Sequence, residues 1–553
     1  MTIQFGILLD EPRLRRWQLS CLQRLLALGD VRAVALIRGP GIRDGAAELR
    51  APGAEPGGND GLDAEPPGSD GPGSPDEALA LPQQIAALPT GLPAGLDFIL
   101  AFTNGRCPAP LLQSTRWGVW RYQFGDWTRF RGEPVGFWEV YCDHPESAVL
   151  LVRETGDPDS IIVLREGHVR TASQSPGRNR LQLLLHAEHF AAQMCRDLQN
   201  GLTDRLTAPP RRSTAPIRRA ATPIQQLVCR GRILSRMVAE VYQGLFSHTQ
   251  WNVGVVEQPI AAFLKGETRA PVRWMPAPRR SQFRADPFGI VREGRLTILL
   301  EDFSYISNRG TISAMDPQSG ASVPVTIGPQ PAVHLSYPYP IELEGRLFCL
   351  PEAHEAREVA LYEVQRYPDR WSRVATFPID TVIVDATLFR HEDRWWIAGS
   401  EPGTKGASSE LHLWHAPAIE GPWVAHPANP VKIDIRSARP AGTPFHHNGI
   451  LYRPAQDCSK TYGGRVAINE VSLLSPTAFR EEVVATVEPY DFGLYREGIH
   501  TLSGVGEVTL IDGKRNLFVP EEFRRNARHY LALVLRRLGL SSKSAPGAPP
   551  VAG

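Results

Sequence analysis

Several acidic residues stand at repeating distances from what read as tight turns, and that spacing is the first feature of the sequence able to do chemistry. Asp286 (in ADPFGI) and Asp385 (in VDATLF) lie seven residues before the turns near 293 and 392. Glu301, Glu352, Glu401 and Asp457 follow eight or nine residues after the first residue of a turn. If each turn belongs to one unit of a circular repeat, equivalent positions converge on a common axis although they are far apart in the chain. Two or three carboxylates around one funnel are what glycosidic-bond chemistry requires, one as acid and another as base or nucleophile. Crowding like charges in a cleft also raises one pKa, which supplies a proton donor near neutrality. Asp286 and Asp385 are therefore the catalytic candidates, with Glu352 as the proton donor. The competing reading is that acids beside turns cap strands by accepting backbone N–H groups. It applies least to Asp286 and Asp385, which interrupt apolar strands, where an ionised carboxylate is costly unless solvated or paired.

Polar residues that could read a sugar recur in the same units. They are His334 and Tyr337 (HLSYPYP), Arg439 (ARPAG), Arg453, Gln456 and Asp457 (LYRPAQD) and His500 (GIHTLSG). Sugar recognition combines planar donors and acceptors with flat apolar faces. Trp395, Trp396 and Trp423 could supply such faces or simply pack the repeats. The seven cysteines are scattered with no CxxC pair, so no zinc ribbon or disulfide framework is expected. No metal set or cofactor is assigned, although a histidine among carboxylates could also hold a cation.

The elements that must position these residues are short alternating strands around a recurring turn: VREGRLTILLED, ELEGRLFCLPEA, RHEDRWWIAGSE, HHNGILYRPAQD and IDGKRNLF. The turns fall near 293, 344, 392, 448 and 512, steps of 51, 48, 56 and 64. A period near 50 with several strands per unit predicts a β-propeller, here five-bladed and spanning 250–518.

The preceding part alternates differently. IQFGILL, an amphipathic stretch over 14–28, and VRAVALI read as strand, helix, strand of a parallel α/β unit. LDFILAF, RWGVWRY, SAVLLVRE and SIIVLREG continue it, and a helix of roughly 25 residues from about Asn179 to Leu202 closes it. Residues 51–75 hold 13 Gly or Pro among 25, so an insertion over about 41–80 is expected to be disordered. Residues 206–249 read as a Pro-rich basic linker and a connecting helix. Residues 519–540 form an amphipathic helix with Arg524, Arg525, Arg528, Arg536 and Arg537, able to pack on the propeller or to touch an anionic membrane. A disordered tail over 541–553 follows.

Composition bounds the partners. Sixty basic and 59 acidic residues nearly cancel across 553, which argues against nucleic acid as a partner. No signal peptide and no long apolar span is evident, so a cytoplasmic, reduced protein is expected.

Two resemblances sharpen this. WNVGVV, ADPF, HLSYP, PE (351–352), VDATLF, GPWVAHPANPV, ARPAGTP, LYRPAQDCSKTYGG and GIHT occur in an order that resembles the N-terminal domain of plant glucosamine inositolphosphorylceramide transferases, over most of 250–515. That domain is similar in architecture to five-bladed glycoside hydrolases, the arabinanase and levansucrase relatives, which carry catalytic carboxylates on inner strands as Asp286 and Asp385 would be. The resemblance implies a saccharide or glycolipid partner, a context of glycan or glycolipid assembly, and a glycosyltransferase acting alongside. Residues 1–205 resemble a formyltransferase-type domain through RFRGEPVGFWEV and GDPDSIIV. The resemblance puts Asp157 at the catalytic aspartate, while Gln123 and Arg121 occupy the histidine and asparagine positions. Gln cannot titrate as an acid or base, so the domain reads as a degenerate scaffold. The expected fold class is thus multidomain, a formyltransferase-like parallel α/β domain followed by an all-β five-bladed propeller. The main expectation is a carbohydrate-binding or carbohydrate-processing protein. N-formylation of an amino sugar and a non-catalytic interaction scaffold are the alternatives.

Overall fold

The computed structural model describes residues 2–38, 74–75, 77–103, 105–265, 270–329, 332–379, 381–402, 408–528 and 531. Most of the insertion expected over 41–80, half of the helix expected over 519–540 and the whole tail lie outside these residues. The chain divides into two compact units, broadly residues up to 235 and residues 236–536.

The first unit is built on a seven-stranded sheet. Ile3–Leu9 pairs in parallel with Val31–Arg38 on one side and with Phe98–Phe102 on the other, and Phe98–Phe102 pairs in parallel with Val119–Phe124. Glu146–Glu154 then adds antiparallel to Val119–Phe124, followed in the sheet by Ser160–Arg170 and Arg211–Arg212. The sheet is therefore mixed rather than wholly parallel: residues 155–159 return the chain directly, so Ser160–Arg170 has no crossover helix before it. The closing helix is two helices, Pro176–Ala187 and Phe190–Gln199. The Pro-rich linker is also more ordered than its composition suggests, since Ile217–Arg218 pairs in parallel with Arg131–Gly132. Stacked rings of Phe5, Phe98 and Trp120 fill the core beside the central strands.

The second unit is a five-bladed propeller, each blade a four-stranded antiparallel meander, with one more short strand added to the third. The first three blades open with the inner strands Gln282–Arg292, Ser336–Leu343 and Val384–His391. The fourth opens with Phe445–His447 and the fifth with Leu502–Val505. Val508–Phe518 of the fifth blade pairs antiparallel with Ser247–Val256 from the start of the unit, in register from Thr509↔Val256 to Phe518↔Ser247. The ring is thus closed by strands from both ends of the unit.

Four of the five expected turns fall where the sequence places them, at Glu293–Gly294, Glu344–Gly345, Glu392–Asp393 and Asn448–Gly449. The fifth does not. It lies at Gly506–Glu507, and residue 512 sits in the middle of Val508–Phe518. The DGK triplet resembles a turn, but the β-branched and apolar residues on both sides, with full pairing to Ser247–Val256, keep it extended.

The inner strands share one irregularity. Each of the first three has a β-bulge, between Ala285 and Phe288, between Ser336 and Tyr339, and between Val384 and Thr387. The bulged residues Asp286, Tyr337 and Asp385 have positive φ, 51°, 44° and 53°. Side chains other than glycine rarely adopt this backbone, which persists only where surroundings enforce it. In blade four Gly442 (φ 117°) takes a comparable bend, and a Cβ there would meet the Leu502 carbonyl oxygen at 2.1 Å. Gly442→Ala should therefore lower stability by at least about 1–3 kcal/mol. A melting temperature equal to wild type would show that blades four and five do not approach this closely.

Candidate functional site

A bulge removes a backbone N–H from the ladder, and an unpaired buried donor is costly. Here each freed N–H is taken by a carboxylate from the preceding blade. Asp512 Oδ2 accepts the Asp286 N–H at 3.2 Å, Asp286 Oδ2 accepts the Tyr337 N–H at 3.2 Å, and Glu352 Oε2 accepts the Asp385 N–H at 2.9 Å. The repeat thus brings Asp286, Glu352 and Asp385 into one connected cluster, and each carries a structural bond as well as a charge.

Around Asp286, the Thr501 hydroxyl donates to Oδ1 at 3.1 Å, and His500 Nε2 stands 3.6 Å from the same oxygen. His500 Nδ1 donates to Asp512, and the imidazole stacks on Trp251 with centroids 4.0 Å apart. Around Asp385, Arg439 Nε and Gln456 Nε2 both donate to Oδ2, the latter at 2.9 Å. Arg439 lies over the Tyr462 ring, 5.1 Å from its centroid. Glu352 Oε1 accepts from His354 Nδ1 at 2.8 Å. His354 also lines an open depression with Arg357, Thr381, Val382, Glu401 and Pro402.

Burial raises the Asp385 carboxyl; Arg439 opposes this and the charge of Glu352 adds to it, giving about 7. Burial works the same way on Glu352. There it is overcome by the hydrogen bond and charge of His354, then by Arg439 and the Asp385 N–H, and Glu352 falls to about 2. The two neighbours are therefore driven in opposite directions, Glu352 down and Asp385 up. Asp286 is also raised, chiefly by burial, with His500 opposing. Glu301, in the same register as Glu352, is raised well above the usual range by burial and by Asp286 and Glu352.

His500 loses from burial, but Asp512, Asp286 and Asp385 raise it above its ordinary value. Asp512 is lowered: burial opposes, and the charge and hydrogen bond of His500 prevail. The stabilisation from protonated His500 is thus fully present below about pH 6.5 and is lost as pH rises through its higher folded value. That from Asp512 is present above about pH 3.9 and is lost as pH falls through its lower folded value. Asp385, raised to about 7, acts with the same sign as His500: its contribution declines as pH rises from about 4 through 7. Urea unfolding followed from pH 5 to 9 should show stability falling with pH, and His500→Gln should reduce that slope. An unchanged slope would remove His500 as its source.

The remaining expected site residues lie as follows. The fully buried Tyr337 hydroxyl meets Thr387 Oγ1 at 2.9 Å and accepts the Gly442 N–H at 2.8 Å, so it braces blades two, three and four. His334 Nδ1 accepts the Gly310 N–H at 2.9 Å, and its Nε2 stands 3.4 Å from Glu301. Arg453 lies apart from the cluster, held by Glu481 and by the carbonyls of Ser437 and Ala438. Asp457 pairs with Arg465 and caps the Ser459 N–H. Trp396 and Trp423 are buried, and the Trp423 indole N–H donates to Ile419 O, so these two pack blades. Asp512, Thr501, Trp251 and His354 join the cluster unforeseen. A cation could find ligand atoms on Asp286, His500 and Asp512, or on Glu401, Glu410 and His412, each set lying within 4.8 Å.

In the first unit, Gln123 Nε2 donates to the Phe124 carbonyl at 2.8 Å, Arg121 pairs with Glu154 at 3.0 Å, and Asp157 pairs with Arg212 at 3.4 Å. No titratable side chain occupies position 123, and a formyltransferase-like assignment finds no support in these contacts.

Comparison with known proteins addresses the propeller. Two solved glycoside hydrolases are similar to parts of the chain. A family 117 enzyme from Zobellia galactanivorans is 12% identical, covers 50% of this chain and 92% of its own, and has a TM-score of 0.31. The GH62 α-L-arabinofuranosidase catalytic domain of Coprinopsis cinerea is 11% identical, covers 48% and 97%, and has a TM-score of 0.32. Glucosamine inositolphosphorylceramide transferase 1 of Arabidopsis thaliana is 32% identical over 231 residues, 41% of this chain and 30% of the relative. Its counterpart in Oryza sativa subsp. japonica is 32% identical over 207 residues, 36% of this chain and 28% of the relative. The chain thus spans less than a third of the length of these plant relatives. Residues 270–494, the larger part of the propeller, match the family described as glucosamine inositolphosphorylceramide transferase 1, N-terminal.

Proposed function

We propose that the propeller binds a saccharide during glycan or glycolipid assembly and acts on its glycosidic bond at the Asp286–Asp385 cluster. The observation that carries this reading is the convergence of Asp286, Glu352 and Asp385 from three successive blades into one hydrogen-bonded network, joined through Tyr337 and Thr387. In it Asp385 is the proton donor, Asp286 the base or nucleophile, and Arg439 and Gln456 orient Asp385. The plant relatives, named for transfer to an inositolphosphorylceramide, support a glycolipid as the acceptor class, with a glycosyltransferase as the companion activity.

The test begins with thermal shift of the full chain against oligosaccharides and sugar nucleotides. A ligand at about 100 times its dissociation constant stabilises by roughly 2.7 kcal/mol. Ligands that shift the wild type and not Asp286→Ala are then assayed for products. Absence of any shift across both classes would overturn the reading. A second reading, binding without turnover, is favoured by one observation: each of the three carboxylates has an oxygen bonded to or shared with the fold itself. Saccharide binding with no product from any ligand would select it.

A further inference from the structure

The helix Pro223–Phe246 carries a feature that the saccharide site does not use. One row of its residues recurs at alternating intervals of three and four, Ile224, Leu227, Gly231, Leu234, Val238 and Val241, with the exposed Val228 and Met237 flanking it. That row has a period of 3.5, the spacing of a supercoiled seam. The opposite side of the helix is already used. Cys229 and Ile233 pack with Phe130, Phe137 and Trp138, and Arg232 lies over Tyr141. The seam itself is in water: Ile224 is 75% exposed, Leu227 70%, Leu234 63%, Val238 61% and Val241 44%, with Tyr242 beside them at 57%. Side chains of that size and exposure present on the order of 700 Å² per copy, more than monomers usually leave in one patch and close to the roughly 800 Å² that a standard interface takes from each partner.

We infer that this seam pairs, antiparallel, with the same helix of a second copy of the chain. A strict 3.5 repeat is complementary to itself, and a two-fold dimer uses one patch twice. Gly231 sets the direction. A Cβ added there would meet nothing within 4 Å, so no neighbour among the described residues requires glycine at this position. A mid-helix glycine costs about 1 kcal/mol relative to alanine. A parallel pair would set Gly231 against Gly231 and leave a hole in the seam. An antiparallel pair sets Leu234 of each copy into the gap left by Gly231 of the other, Leu227 against Val238, and Ile224 against Val241. No two like charges face each other across those layers.

Sedimentation equilibrium of the full chain at about 1–100 µM tests this. The wild type should show the mass of two chains at the upper concentrations. The double variant Leu234→Glu/Val238→Glu, at two exposed positions, should show one chain with an unchanged melting temperature, its dissociation constant raised at least about 100-fold. In a Cys142→Ser background, Leu227→Cys/Val238→Cys should form a cross-linked dimer on oxidation, while Leu227→Cys alone should not. A wild type that stays monomeric throughout overturns the proposal, as does a dimer untouched by the double variant. Cross-linking by Leu227→Cys alone overturns the antiparallel arrangement. Monomeric protein that floats with phosphatidylserine vesicles, and no longer does so in the double variant, would assign the seam to a membrane surface instead.

Discussion

Asp385→Asn should abolish most turnover of any glycoside the propeller processes, by about 10²–10⁴-fold, while costing only about 1–3 kcal/mol of stability. The amide is isosteric and keeps an oxygen able to accept from Arg439 and Gln456, so the bonds that position the side chain survive in part. What disappears is the proton that the carboxyl holds up to about 7. Steady-state rates from pH 5 to 9 in wild type and variant, with binding measured separately by calorimetry, separate the two roles. Binding retained with turnover lost assigns the proton to Asp385. Full turnover in the variant would remove Asp385 from the chemistry.

The largest loss of stability is expected away from the cluster, at Glu481→Ala. The Glu481 side chain is 1% exposed and accepts from Arg453 Nε and Nη2 at 2.9 and 2.6 Å and from Lys432 at 2.9 Å. Removing it strands Arg453 of blade four and Lys432, from the short strand added to blade three, without the carboxylate they share. Breaking a buried pair from one side typically costs about 3–5 kcal/mol. Chemical unfolding should show that loss, and Arg453→Met in the same background should recover part of it by withdrawing the stranded charge. A loss below about 1 kcal/mol would mean that water reaches the pair.

Arg453 also shows what spacing can and cannot reveal. Its place in LYRPAQD, beside Gln456, made it a candidate for sugar recognition, but strand alternation turns the two differently: Gln456 reaches Asp385 and Arg453 reaches Glu481. The five-fold repeat was legible because two-residue turns leave a compact signature, as in Glu293–Gly294 and Asn448–Gly449. The same spacing already contained a third member of the inner register, since Tyr337 stands seven residues before Glu344 as Asp286 does before Glu293. Its uncharged side chain sets it apart from the two aspartates of that register. Asp512 was hidden by a turn assigned to a triplet that strand pairing holds straight. The opposition in pKa direction between Glu352 and Asp385 could not be read at all. It depends on His354 folding back onto Glu352 and on Arg439 arriving from 54 residues away, which are facts of three-dimensional proximity.

The closure of the ring by Ser247–Val256 and Val508–Phe518 bears on how this region could be isolated. The segment 270–494 that carries the family match begins after the first of these strands and stops before the second. Excised at those limits, it would lack Trp251, His500, Thr501 and Asp512, and with them the acceptor of the Asp286 N–H. It would also lay bare apolar residues of the blades that flank the fifth, Ile468 and Val487 on one side and Ile298 and Leu300 on the other. The autonomous unit is therefore longer than the recognisable one. Because its final blade forms only when residues some 260 positions apart meet, its assembly is committed late, after nearly all of its length is available to pair.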